Sequence, residues 1–202
     1  MEFENMGKIV IFMGASASGK DAIKGRILKE NRYDLKEIIL HTTRPMRTGE
    51  VNGREYYFVS EEERLAYRES GKIIENRTYD TMHGKWSYFT VDEKIDLENN
   101  NYLTSNTLEG YDCFLRYYGA QNLLPLYFYV EDGLRLERAL KREQKQQNPK
   151  YAELCRRFLA DTKDFSLEHI RERKIEEENW VNNSGSLEDS FKQIDKILSL
   201  KL

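Results

Sequence analysis

Cysteine is scarce in this chain: Cys113 and Cys155 are the only two, and no C-x-x-C spacing joins them. Two distant thiols predict reduced residues rather than a disulfide framework or a thiolate metal site. Acidic residues precede the first apolar run, Ile9 to Met13, which is too short for the core of a secretory signal. No window approaches the ~20 apolar residues of a membrane helix. Charge of one sign is also lacking, because 33% of residues are charged yet the net charge is only −3. That balance leaves no electrostatic footprint for DNA or RNA, so any anion has to be held by a local site. His41, His83 and His169 are too scattered for a zinc set. No nucleophile–base motif stands out either. These absences predict a cytoplasmic protein with neither membrane nor nucleic-acid partners; a monomer or a homodimer is expected, with nothing in the sequence to choose between them.

What is present is an alternating pattern. Its 202 residues suit one domain with a sizeable core. Lys8 to Met13 (KIVIFM) reads as a buried parallel strand, and Asp21 to Glu30 follows as a helix. Glu37 to Leu40, Tyr102 to Thr104 and Leu124 to Val130 read as further strands, with a charged helix opening at Asp132. Strands alternating with helices predict an α/β fold built on a parallel sheet. One region breaks the rhythm. Tyr56 to Val59, Lys72 to Glu75, Arg77 to Thr81 and Trp86 to Thr90 are short β-prone runs around a single helix, Ser60 to Ser70, opened by a Ser60–Glu63 capping box. They predict an inserted mixed-sheet subdomain. Lys141 to Lys150 is the most polar stretch and a candidate mobile lid, and Ser186 to Leu200 reads as a closing amphipathic helix.

The sharpest local signal lies after the first strand. Gly14, Ala15, Ser16, Ala17, Ser18, Gly19 and Lys20 fit G-x-x-x-x-G-K, with an apolar strand running in and a helix running out. Such a loop wraps its N–H groups around phosphate, the helix dipole favours the anion, and the lysine reaches the β- and γ-phosphates. The next residue is Asp21, where a Mg²⁺-ligating hydroxyl is usual. A carboxylate there suits a metal-site residue with altered coordination, or equally a charge that compensates the helix N-terminus.

The segment Thr42-Thr43-Arg44-Pro45-Met46-Arg47-Thr48-Gly49-Glu50-Val51-Asn52-Gly53-Arg54-Glu55-Tyr56 brings two arginines into one Pro/Gly-bearing loop, where guanidinium groups can converge on a phosphate. Together with the phosphate loop it resembles the guanylate kinase family, whose hallmark is T-T-R-x-x-R-x-G-E-x-x-G-x-x-Y. The resemblance implies a P-loop NTPase fold: a three-layer α/β core (7–41, 91–140 and 158–202), an acceptor-binding subdomain (42–90) and a helical lid (141–157). It implies ATP bound by residues 14–21 and phosphoryl transfer to a nucleoside monophosphate, GMP, with Mg²⁺ near Asp21. Arg44, Arg47 and Tyr56 match the positions that hold the acceptor phosphate, and Glu50 matches the glutamate bracing them. Glu75 matches the glutamate that reads guanine, with Tyr88 on the phosphate and Thr90 on the base. Arg138, Arg142 and Arg157 match arginines that close over the triphosphate, and with Lys20 and Arg44 they form the implied catalytic set.

The sequence departs from that pattern in places. Leu40 replaces a serine that helps bind guanine, and Ser105-Asn106-Thr107 stands where Asp-x-Asp is usual. Phe89 replaces a glycine, and Arg77 to Met82 is slightly longer than the family loop. These departures keep two alternatives open: another acceptor, such as a different nucleotide or a ribose bisphosphate, and a non-catalytic binding module on the same fold. The absence of a triad suits the kinase reading, since an acceptor phosphate of pKa near ~6 is already largely ionised and transfer depends on positioning and electrostatics.

Overall fold

The computed structural model describes residues 6–47, 49–81 (Thr81 by its backbone) and 84–202. Thr48 of the arginine loop, His83 and the end of the Arg77–Met82 loop lie outside the described residues.

β1 (Ile9–Met13) is wholly buried along its length, as its unbroken apolar run requires. It lies at the centre of a five-stranded parallel sheet with β7 (Asn101–Ser105) and β2 (Leu35–Glu37) on one side. On the other side lie β8 (Leu123–Tyr129) and β9 (Trp180–Asn182). Side-chain alternation divides β1 between two apolar layers. Ile9, Ile11 and Met13 pack with Leu108, Tyr111 and Phe114 of α3 (Leu108–Tyr118) and with Ile170 of α6 (Leu167–Glu172). Val10 and Phe12 pack with Ile23 and Ile27 of α1 (Lys20–Glu30) and with Phe191, Ile194, Ile197 and Leu198 of α7 (Leu187–Lys201). Each such side chain contributes about 1.5–3 kcal/mol when fully buried. The result is the three-layer α/β arrangement, with the ends of the parallel strands all opening on one edge.

The second sheet has the order β4-β3-β6-β5, formed by β3 (His41–Thr42), β4 (Tyr57–Phe58), β5 (Ile73–Thr81) and β6 (Gly84–Val91). β3 pairs parallel with β4 and antiparallel with β6, which forms a long antiparallel pair with β5. The intervening helix α2 (Glu61–Glu69) begins with the expected capping box: Ser60 Oγ accepts from Glu63 N–H at 3.1 Å, and Glu63 returns a carboxylate to Ser60 N–H at 2.7 Å.

Two expectations need correction. Glu37 to Leu40 is not one strand: Ile38 N–H still donates to Leu103 O in the parallel sheet, whereas Leu40 O accepts from Tyr57 N–H in the second sheet. The chain changes sheets inside an apolar run, which local pattern cannot show. Lys72 to Glu75 and Arg77 to Thr81 are one strand, interrupted only by a bulge between Ile73 and Glu75. In the polar stretch 141–150, residues 141–144 close α4 (Asp132–Gln144) and residues 145–150 form the short irregular connection to α5 (Tyr151–Asp164), where Asn148-Pro149 disfavours helix.

Candidate functional site

The phosphate-loop sequence leaves β1 and enters α1 directly, so its N–H groups sit at a helix N-terminus. Gly19 caps the helix at φ 85°, and a Cβ there would meet Asn183 Nδ2 at 2.3 Å, so only glycine fits. Ala17 carries a side chain at φ 64°, a left-handed conformation costing about 1–2 kcal/mol. Strain at that position is a mark of a loop shaped for something other than its own stability. Lys20 is largely buried at its side chain, and its Nζ lies 3.7 Å from the exposed carboxylate of Asp21.

One donor of the loop is already taken. Ser16 N–H donates to Asp161 Oδ2, on α5, at 2.7 Å. A carboxylate oxygen there stands in for an anionic oxygen of the kind the loop would otherwise receive. The lid arginines also have internal partners. Arg138 Nη1 donates to Asn183 O at 3.0 Å, and Arg157 lies 3.7 Å from Glu153 and 3.9 Å from Glu143. Arg142 and Arg157 line one narrow cleft with Ser16, Leu154 and Phe158, so α4 and α5 bring these two arginines to the loop.

The arginine loop folds on itself. Arg44, 3% exposed, donates from Nη1 and Nη2 to the two oxygens of Glu50 at 3.0 and 2.8 Å, and Nη1 also reaches Pro45 O. Glu50 further accepts Arg47 N–H at 2.7 Å. The hydrogen bond from Arg44, then that from the Arg47 backbone, holds the Glu50 carboxyl below its ordinary range, while Glu50 raises Arg44 in turn. Arg44 also lies over the rings of Tyr56 and Phe58, and burial raises the phenol of Tyr56. Arg47 itself is exposed.

A second pocket of about 460 Å³ opens beside this pair, lined by Leu40, Tyr56, Arg77, Tyr79, Trp86 and Tyr88. Beside Arg77 of its wall, Glu75 is buried, and Thr90 Oγ1 donates to its Oε1 at 2.9 Å. Glu75 and Thr90 are direct cross-strand partners, so the fold unites two residues singled out separately in the sequence. At the Asp-x-Asp position, Thr107 caps α3 by accepting Gly110 N–H, and Asn106 Oδ1 accepts Thr107 N–H. Those residues shape a helix start.

Two residues that motif reading passes over hold the site together. Asn183 donates to Ser18 O at 2.6 Å and accepts from Ser190 at 2.7 Å, tying the phosphate loop to α7, and its carbonyl holds Arg138. The turn-prone Asn182-Asn183-Ser184-Gly185 was its only local signal. Arg135, 3% exposed, bonds Asp132 and Thr162 and lies over the Phe158 ring at 3.8 Å, so it locks α4 onto α5. As one charge among many on a helix, it carried none.

Comparison with known proteins meets this geometry. The guanylate kinase family profile matches residues 6–100, from β1 through the second sheet. Over these residues the chain is similar to guanylate kinases. It is 29% identical to a guanylate kinase of Mesoplasma florum over 92% of the chain and 61% of that protein. It is 28% identical to the chloroplastic/mitochondrial guanylate kinase 2 of Oryza sativa subsp. japonica over 94% of the chain and 63% of that protein. The chain therefore spans about three-fifths of the length of these two relatives. The crystal structure of guanylate kinase from Anaplasma phagocytophilum superposes with a TM-score of 0.62 at 16% identity, covering 98% of this chain and 88% of that one. The α/β fold with its second, mixed sheet is thus shared with that guanylate kinase.

Proposed function

We propose that this protein transfers a phosphoryl group from ATP to a nucleoside monophosphate, GMP, giving ADP and GDP. The observation that carries the reading is Glu75, a buried carboxylate 3.2 Å from Arg77 of the second pocket, with Oε2 lacking a hydrogen-bond partner and with Thr90 on Oε1. A carboxylate so placed accepts from guanine N1–H and the 2-amino group together, which adenine cannot offer in that arrangement. The relatives' names and the shared fold support the same reaction.

In this reading residues 14–21 hold the ATP phosphates and Lys20 offsets charge on the β- and γ-phosphates. Arg44, kept rigid by Glu50, presents the acceptor phosphate together with Arg47, Tyr56 and Tyr88. Arg138, Arg142 and Arg157 exchange their internal partners for the transferring group, and such arginines are worth about 10³–10⁵ in rate in related phosphoryl transfers. Closure of α4 and α5 excludes water, which would otherwise hydrolyse ATP. Among the described residues no three His, Cys, Asp or Glu side chains gather as a metal cage. The single exposed carboxylate of Asp21 beside Lys20 nevertheless suits Mg²⁺, which is commonly bound by one or two carboxylates plus substrate phosphates. Bound there, the ion would supply further charge neutralisation at the phosphates.

The test is ADP release from ATP·Mg²⁺ with GMP, dGMP, AMP, UMP, CMP and ribose phosphates as acceptors. GMP is expected to be turned over and Lys20→Ala to abolish activity; turnover of another acceptor with none of GMP would overturn the reading.

A further inference from the structure

We infer that Arg77 is a specificity-determining residue of the acceptor pocket, donating to the 6-carbonyl oxygen of the guanine whose N–H edge Glu75 accepts. This inference rests on the GMP reading above and deepens it.

The register of the β5–β6 pair sets Glu75 opposite Thr90, Arg77 opposite Tyr88 and Tyr79 opposite Trp86. Strand periodicity places these six residues on one face, so Arg77 follows Glu75 directly along the wall of the pocket it lines. Its Nε lies 3.2 Å from Glu75 Oε2. The two groups are paired in charge but not in hydrogen bonding: Glu75 Oε2 and Arg77 Nε are both buried atoms without a hydrogen-bond partner. A carboxylate oxygen buried to that degree is costly to leave unmatched. Thr90 satisfies only Oε1. Leu40, on the same pocket wall, contributes no polar group.

Guanine completes this arrangement. Its Watson–Crick edge presents two donors, the 2-amino group and N1–H, and next to them one acceptor, O6. A carboxylate beside a guanidinium is the complement of that order, since Arg has donors only and an ionised carboxylate acceptors only. Adenine reverses the pattern, setting its N1 acceptor toward the carboxylate and its 6-amino donor toward the guanidinium. The Glu75–Arg77 pair therefore both selects guanine and rejects adenine, which is how unmatched buried polar groups generate large discrimination. The aromatic residues Tyr56, Tyr79, Trp86 and Tyr88 of the same pocket provide flat surface for the purine ring.

The test compares GMP with 6-thio-GMP, which keeps both N–H groups but replaces O6 by a weakly accepting sulfur. Arg77→Ala is expected to raise the KM for GMP about 10- to 100-fold, the discrimination of one good polar base contact, with kcat changed little. Its KM for 6-thio-GMP should move far less, so the wild type's preference for GMP over the thio analogue collapses. Arg77→Gln, which keeps an N–H donor without the charge, should retain part of that preference and controls for folding. An equal rise in KM for both nucleotides would overturn the inference, because it would place Arg77 on the phosphate or ribose. An unchanged KM for GMP in Arg77→Ala would also overturn it while leaving GMP kinase activity intact. Failure of the wild type to use GMP would remove the underlying reading and this inference together.

Discussion

His41 sits in a buried aromatic nest, with ring centroids 4.8 Å from Tyr57, 5.4 Å from Phe89 and 5.5 Å from Tyr67, and its Nδ1 has no hydrogen-bond partner. Burial lowers its pKa to about 4; Glu93 and Glu63 pull it up and Lys94 presses it down by smaller amounts. The folded state thus resists a proton that the unfolded chain accepts near pH ~6.5. Stability from this residue is present above that value and is lost as pH falls toward about 4. Relative to His41→Phe, which keeps the ring packing, the wild type is expected to lose about 1–2 kcal/mol between pH 7 and pH 4.5 after allowance for solvent screening, measured by urea unfolding at both values. At this scale legibility depends on whether a role is local. Gly14, Gly19 and Lys20 were readable as a motif of short spacing, and Arg44 and Glu50 through the family resemblance of one short segment. Arg77 and Asn183 were not, since one acts through strand register and the other through a contact 165 residues away.

Among the elements, α2 shows how far local chemistry reaches. None of its residues is fully buried, so its start depends heavily on the Ser60–Glu63 box. Ser60→Ala is expected to lower stability by about 1 kcal/mol, read as a shift in the urea midpoint with unchanged slope. Glu63→Ala in that background should add little, because the two bonds are reciprocal. β1, α1 and α7 were legible for the same kind of reason: their apolar periodicity matches the faces they bury. The strand breaks around Ile38 to Leu40 were not. An apolar run states that residues are buried, but which sheet receives each carbonyl and N–H is decided by partners elsewhere.

Across the whole molecule, the lid and the phosphate loop compete for the same donors. Asp161 occupies Ser16 N–H, Asn183 O holds Arg138, and Glu143 and Glu153 attract Arg157. In the proposed reaction, ATP would have to replace these contacts, so part of its binding free energy would go into rearranging α4 and α5. Asp161→Ala is expected to tighten ATP binding about tenfold by freeing a charge-assisted donor and removing a like charge, measured by titration calorimetry with ATP. Asp161→Asn, which retains an acceptor without the charge, should fall between; weaker ATP binding by both variants would contradict the competition.

By itself the sequence determined the α/β class, the G-x-x-x-x-G-K loop between a strand and a helix, and the arginine loop. Those features rest on periodicity and on spacings of a few residues, over which the backbone leaves little choice. Only the tertiary structure decided that Arg77 stands beside Glu75, that Asp161 reaches Ser16, and that Asn183 joins the phosphate loop to α7. Such contacts depend on strand register and on how distant helices pack, and each is set by the burial of many side chains at once. The phosphate-loop motif was therefore legible in the sequence, whereas the pairing of Arg77 with Glu75 became visible only in the folded chain.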